Sequence, residues 1–388
     1  MKHRLRSRTI VLMIFVAALW QSHTGEAFHS GSTEECKECH TDEKGSLRGS
    51  DESSTCLRCH QAPPGTLTPT GYYIATSDQD LRKGPPSQLT PGGDFGYLKK
   101  NYVWATPEGV RLSSPGERHG HNIVALDFGY EADTTNSTAP GGIYPARILS
   151  CVSCHDPHGQ IPTDAGAGGA YRLLGGKGYE PSSARGMAFT YDPPVAVAPR
   201  DYNRSEAITD TRVAYGKGMS EWCSNCHAPI EEGIFSWYGH PVGNNARFTK
   251  DVVYHYNLYV KSGDFSGNNN TSYTSIVPFE EGIDDKTILA QHAKNDGSYR
   301  MGPDYRSTVM CLSCHRTHAS AWDHITRWNM DADFVIYKGV YSGTDNGSPP
   351  ELAKGRTAAD TKRAFYDRPS YRYDAYQRSL CNKCHVLD

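Results

Sequence analysis

Hydrophobic and polar positions along this chain keep no regular period for long. Few stretches alternate far enough to make a sheet, and helical spacing is confined to short segments such as Arg204–Gly216 and Asp284–Lys294. Between them the chain is broken by turn signals: Pro91-Gly92-Gly93-Asp94, Pro140-Gly141-Gly142, Gly166 to Gly169, Gly175-Gly176-Lys177-Gly178 and Asn268-Asn269-Asn270. The pattern predicts a mostly irregular fold with a few short helices and minimal sheet.

One run stands apart. Ile10 to Trp20 is apolar throughout, preceded by Lys2, Arg4, Arg6 and Arg8 and followed by Gly25-Glu26-Ala27. Eleven residues fall short of the ~20 that span a bilayer, while the basic start and small-x-small end fit a secretory signal peptide. Residues 1–27 are read as that signal and residues 28–388 as one domain beginning at Phe28. No Cys flanks the cleavage site for lipid attachment and no Arg-Arg pair precedes it, which favours the general secretion route. No later stretch approaches transmembrane length.

Composition sharpens this. Apolar residues make up 37% of the 388 residues, with 38 Gly and 23 Pro, against the ~45–50% apolar content usual in globular domains. Protein alone would give a thin core, so another group is expected to fill the interior. The signal removes four of the 40 cations and one of the 43 acids, leaving 36 and 42, a net charge of −6. That balance argues against a nucleic-acid partner, which would call for a basic stripe.

The twelve cysteines supply the missing group. All of them fall in one pentapeptide, as Cys36-x-x-Cys39-His40, Cys56-x-x-Cys59-His60, Cys151-x-x-Cys154-His155, Cys223-x-x-Cys226-His227, Cys311-x-x-Cys314-His315 and Cys381-x-x-Cys384-His385. C-x-x-C-H attaches c-type haem: two thiols at that spacing meet the two vinyl groups of one porphyrin, and the following His binds the iron as proximal ligand. A single copy could equally be a redox dithiol, a zinc site or part of a disulfide framework. Six copies with no Cys left over point to six haem c. The motif spacings of 20, 95, 72, 88 and 70 residues show no fixed period, which excludes a solenoid. About 60 mature residues per haem are too few for six separate domains, so the haems are expected to stack as a shared core, with a short helix at each motif.

Each iron in an electron carrier needs a second axial ligand. Nine mature His lie outside the motifs, His29, His119, His121, His158, His240, His255, His292, His318 and His324, for six places; only five Met are available. Bis-His ligation is therefore preferred. His158 and His318 each follow a proximal His by three residues. Two rings at that spacing leave the chain on nearly the same side, so each is expected to reach a haem other than its neighbour's. His121, His240 and His292 are further distal candidates; His119, His255 and His324 fit propionate or solvent contacts as well.

Several stretches go beyond the motifs: Thr90-Pro-Gly-Gly-Asp-Phe-Gly96, Glu117 to Val124, Ala132-Asp-Thr-Thr135, Ala139-Pro-Gly-Gly142, Arg212-Val-Ala-Tyr215, Gly218-Met-Ser-Glu-Trp222 and Ser379-Leu-Cys-Asn-Lys-Cys-His385. With the motif order they resemble the OmcS-type hexahaem cytochromes of metal-reducing bacteria over nearly the whole mature chain. The resemblance implies extracellular electron transfer, polymerisation with copies of itself into a filament with a continuous haem line, upstream donor cytochromes, and acceptors such as metal oxides or electrodes. It implies distal ligands at His29, His121, His158, His240, His292 and His318. The chain departs from the family after the first motif, where Thr41-Asp42-Glu43 lacks the His that completes a haem of the next subunit. Either His29 takes that role, or the assembly joins differently, or the chain does not polymerise.

Other readings are a monomeric periplasmic or outer-membrane-associated carrier and a multihaem reductase. A reductase would keep one iron open, often with Lys replacing a motif His; all six motifs here keep His, so no catalytic residue is expected.

Overall fold

The computed structural model describes residues 33–42, 45–66, 72–159, 171–199, 211–227 and 241–385. The expected signal peptide, His29 and His240 lie outside them. Among the described residues no helix is long and apolar enough to cross a membrane.

The fold is irregular, as the broken periodicity predicts. Its helices are short, each started by a polar cap and soon stopped. Glu52–His60 begins at Asp51, whose carboxylate accepts from the Ser54 amide, and is followed by Pro63-Pro64. Lys250–Leu258 is capped by Thr249, and Ala358–Ala364 by a Thr357–Asp360 capping box. The expected helix at Asp284–Lys294 is present as Lys286–His292, capped by Asp285. Each motif carries a helical segment: Thr33–Cys39, Glu52–His60, Cys151–Ser153, Met219–Cys223, Cys311–Cys314 and Leu380–Lys383.

Sheet is confined, among the described residues, to three two-stranded antiparallel ribbons, Tyr102–Ala105 with Arg111–Ser114, Val195–Val197 with Ala214–Lys217, and Ile336–Tyr337 with Val340–Tyr341. The second corrects the sequence expectation of a helix reaching Gly216. Val213, Ala214 and Tyr215 are all buried, and the Tyr215 and Gly216 carbonyls accept from the Glu281 and Gly282 amides. Such burial on both faces suits a strand and leaves no solvent side for an amphipathic helix.

The apolar core is divided into clusters, and most of them include motif residues or their immediate neighbours. Leu57 packs with Phe95, Ile123 and Tyr130; Met219 with Met310 and Leu312; Trp222 with Phe189, against Cys154 and Cys223; Leu380 joins the largest cluster, around Tyr256, Phe279, Trp322 and Phe365. Buried arginines knit the loops between them. Arg316 donates to the carbonyls of Thr90, Pro91 and Ala364, Arg327 to Leu312 and Ser275, and Arg356 to Ala321 and Lys354. An irregular chain leaves carbonyls without ladder partners, and a guanidinium with five donors satisfies several at once.

Candidate haem-binding site

The six motifs lie next to one another in the order of the sequence. The Cys39 thiol is raised by burial and then by Cys56 and Cys59. Cys56 is raised by its hydrogen bond with Cys151 and by burial. Burial and the nearby Cys226 push Cys154 up to about 12, and Cys223 is raised by its hydrogen bond with Cys311. Burial and Cys381 push Cys314 up to about 11. Each motif thus touches the electrostatic field of the next, tracing one line from Cys36 to Cys384.

Two junctions on that line share one construction. Three residues before the first Cys of motifs two and four stands a serine. Ser53 Oγ accepts from the Cys151 amide at 3.0 Å, and Ser220 Oγ accepts from the Cys311 amide at 3.1 Å. Motifs three and five then carry a serine between their cysteines: Ser153 Oγ accepts from the Ser150 amide at 2.9 Å and Ser313 Oγ from the Met310 amide at 3.2 Å. Beyond each lies a pair of residues with left-handed backbone, Arg172 and Leu173 (φ 52° and 56°) and His324 and Ile325 (φ 58° at both). Side chains at such angles cost about 1–3 kcal/mol each. The return is position: the first carbonyl of each pair meets a proximal ring, His155 Nδ1 at 2.9 Å from Arg172 O and His315 Nδ1 at 2.9 Å from His324 O.

The same device recurs at other rings. His60 Nδ1 lies 2.7 Å from Tyr72 O, His227 Nδ1 3.0 Å from Pro140 O and His121 Nδ1 2.6 Å from Thr317 O. A carbonyl accepts only, so Nδ1 carries the proton and Nε2 keeps the lone pair a metal binds. This is the tautomer an axial haem ligand requires.

Two candidate distal rings stand opposite proximal ones. His158 faces His40 with centroids 6.1 Å apart and planes at 16°, and His121 faces His227 at 6.0 Å and 50°. A metal–imidazole bond of about 2 Å on each side would set two trans rings roughly 6 Å apart. His318 packs on Phe95 at 4.8 Å. Burial pushes it down to about 3, reinforced by His155, Arg172, His121 and His60, which places it beside the second and third motifs. Burial pushes His121 down to about 4, aided by His227. Both rings are held neutral, the form that binds metal.

His121 and His318 are set by one clamp. The His121 amide donates to His318 O at 3.0 Å, and the Thr317 and His318 amides donate to Gly92 O at 3.2 and 2.7 Å. The turn expected at Pro91–Asp94 is this clamp. Gly93 (φ +88°) approaches so closely that a Cβ there would lie 1.8 Å from Ala319 O. His292 has a different partner, its Nδ1 2.6 Å from Glu281 Oε2.

The remaining rings are placed as follows. His119 is fully buried with both nitrogens engaged, by Ser114 Oγ at 2.7 Å and Tyr97 O at 3.0 Å, which makes it structural. His324 serves through its carbonyl. His255 packs edge-on against Tyr254 and Phe265. Sequence reasoning missed Glu281, the carbonyl straps and the four serines. Only the serines left a signal, in the matched S-x-x-C and C-x-S-C strings.

Six C-x-x-C-H motifs strung in order, with rings poised to offer Nε2 and two ring pairs at iron-bridging separation, define a multihaem c-type cytochrome carrying six haem c. No protein-family model matches the chain. It is 43% identical to C-type cytochrome OmcS of Geobacter sulfurreducens over 429 aligned positions, covering 98% of this chain and 99% of that protein. The chain belongs to the OmcS family. Its fold matches two solved structures, cryo-EM of the OmcS nanowires and the Outer Membrane Cytochrome S filament, both from Geobacter sulfurreducens. Each shows a TM-score of 0.84 at 43% identity and covers 93% of this chain and 100% of that one.

Proposed function

We propose that this protein is an extracellular electron conduit, not an enzyme, whose subunits polymerise into a haem-lined filament. The observation that carries the reading is the unbroken order of neighbouring motifs, which gives electrons one path from end to end; the match to two filament structures supports it. Residues 28–388 form the mature domain after export. His40, His60, His155, His227, His315 and His385 are proximal ligands and His29, His121, His158, His240, His292 and His318 distal ones. His158 serves the haem of His40, and His121 that of His227. The haems supply one-electron redox chemistry. The chain attaches them through thioethers, holds the rings of His60, His121, His155, His227, His292 and His315 in the tautomer that presents Nε2, and keeps water from the buried rings. Upstream cytochromes donate and extracellular metal oxides or electrodes accept.

Two measurements test ligation and loading. The intact mass of the exported protein is expected to show six haem additions and no free thiol. Carbon monoxide is expected to leave the reduced spectrum almost unchanged, because every iron has two His. A stoichiometric high-spin haem would reopen the reductase reading.

Assembly is tested by electron microscopy of secreted material. With no His at Thr41–Glu43, we assign the junction-crossing ligand to His29, near the expected mature terminus, because chain ends are in general seldom tied into their own fold. Filaments are expected from the unmodified protein and reduced yield from His29→Ala. Monomers alone would instead favour the periplasmic or outer-membrane-associated carrier.

A further inference from the structure

His292 differs from the other candidate ligands in what holds its ring. His60, His121, His155, His227 and His315 each rest Nδ1 on a neutral backbone carbonyl. His292 rests it on a buried carboxylate, Glu281 Oε2, at 2.6 Å, and its ring stacks on Tyr299 at 4.1 Å and 11°. Glu281 is in turn fixed by Arg212, whose Nη2 donates to Oε1 at 2.7 Å while its guanidinium lies over Tyr273 and Tyr299. Arg212 is 2% exposed and Glu281 7%, so water does little to screen the contact.

A carboxylate draws the Nδ1 proton far more strongly than a carbonyl does, which makes the ring a stronger donor through Nε2. A stronger axial donor stabilises ferric over ferrous iron, and hydrogen bonds to the ligand's far nitrogen are one of the levers by which a protein sets haem potential. We propose that Glu281 is a positioning residue that makes the haem bound by His292 a low-potential station on the conduit, with Arg212 and Tyr299 fixing the geometry. The step remains a one-electron change at iron, with no bond made or broken. This rests on His292 being an axial ligand, as proposed above.

The experiment is a mediated potentiometric titration of the haem-loaded protein. Glu281→Gln keeps an acceptor but removes the charge. One haem of six is expected to rise by about 59 mV, a tenfold change in its oxidised-to-reduced ratio, with six haems retained and all low-spin. Glu281→Asp restores the low value. Glu280→Gln removes a neighbouring buried carboxylate that bonds the Met219 amide and Thr308 Oγ and no ring, and leaves that haem in place. In the unmodified protein one near-infrared ligand-to-iron charge-transfer band is expected at higher energy than the other five, a readout that needs no variant. Six unmoved potentials in low-spin Glu281→Gln, or six superposed bands, would overturn the proposal. His292→Ala separates this from the ligand assignment: a fully low-spin His292→Ala protein refutes the ligand, whereas one high-spin haem there with unmoved potentials in Glu281→Gln refutes the tuning alone.

Discussion

Replacing His158 by Ala is expected to turn one haem in six from low-spin to high-spin, and the affected haem is the one attached at Cys36 and Cys39. The ring pair sets this expectation, since His158 stands 6.1 Å from His40 and nearly parallel to it. The thioethers and His40 are untouched, so the mass still shows six haems. The vacated position takes up carbon monoxide, and about one sixth of the reduced Soret absorbance should respond. His155, three residues upstream of His158, keeps its Nδ1 contact with Arg172 O, so the third haem is unaffected. A wholly low-spin spectrum would refute the assignment. So would a high-spin signal that vanishes when the first motif, rather than the third, is left intact.

The second large effect is on stability, at Arg356. This side chain is 1% exposed and donates to Ala321 O from Nε at 2.9 Å and to Ser114 Oγ from Nη2 at 2.7 Å, while Nη1 reaches Lys354 O. Its guanidinium also lies 4.1 Å from the Tyr102 ring and 4.6 Å from that of Trp322. Burial lowers its pKa to about 10, so the group is charged at neutral pH. Arg356→Ala leaves two carbonyls, Ser114 and the His119 ring, whose Nε2 lies 3.3 Å from Arg356 Nη2, short of a partner and opens a void between two aromatic rings. A loss of about 3–5 kcal/mol is expected, the range for breaking a buried charged network. Arg356→Lys recovers little, because a point charge cannot fork between carbonyls or stack between rings. Guanidinium unfolding monitored by Trp emission measures both, and a loss below about 1 kcal/mol for the alanine variant would show that water replaces the network.

How far the residues announced all this depends on range. Haem content was legible because attachment chemistry is local: two thiols and a ring must fall within five residues. The irregular fold was legible from broken periodicity, and the helix at Lys286–His292 from helical spacing within the short segment Asp284–Lys294. The strand at Ala214–Lys217 was not, because its partner Val195–Val197 and the Glu281 amide that caps its edge are remote in sequence. The same holds for Glu281, where nothing near His292 signals a carboxylate eleven residues earlier. The carbonyl straps are invisible in principle, since any residue type brings a carbonyl and only backbone shape aims it. The lack of a fixed spacing between motifs also hid the matched junctions at Ser53–Cys151 and Ser220–Cys311.

Those junctions bear on what can be built into this chain. In one, the strap carbonyl comes 17 residues after its ring, and in the other 9, yet both contacts close at 2.9 Å. The length of the excursion is therefore immaterial to the contact it ends in, and lengthening a loop twofold costs only about 0.6 kcal/mol in closure entropy. What has to be kept when residues are changed along either excursion is the left-handed pair that aims the carbonyl, Arg172 and Leu173 in one and His324 and Ile325 in the other.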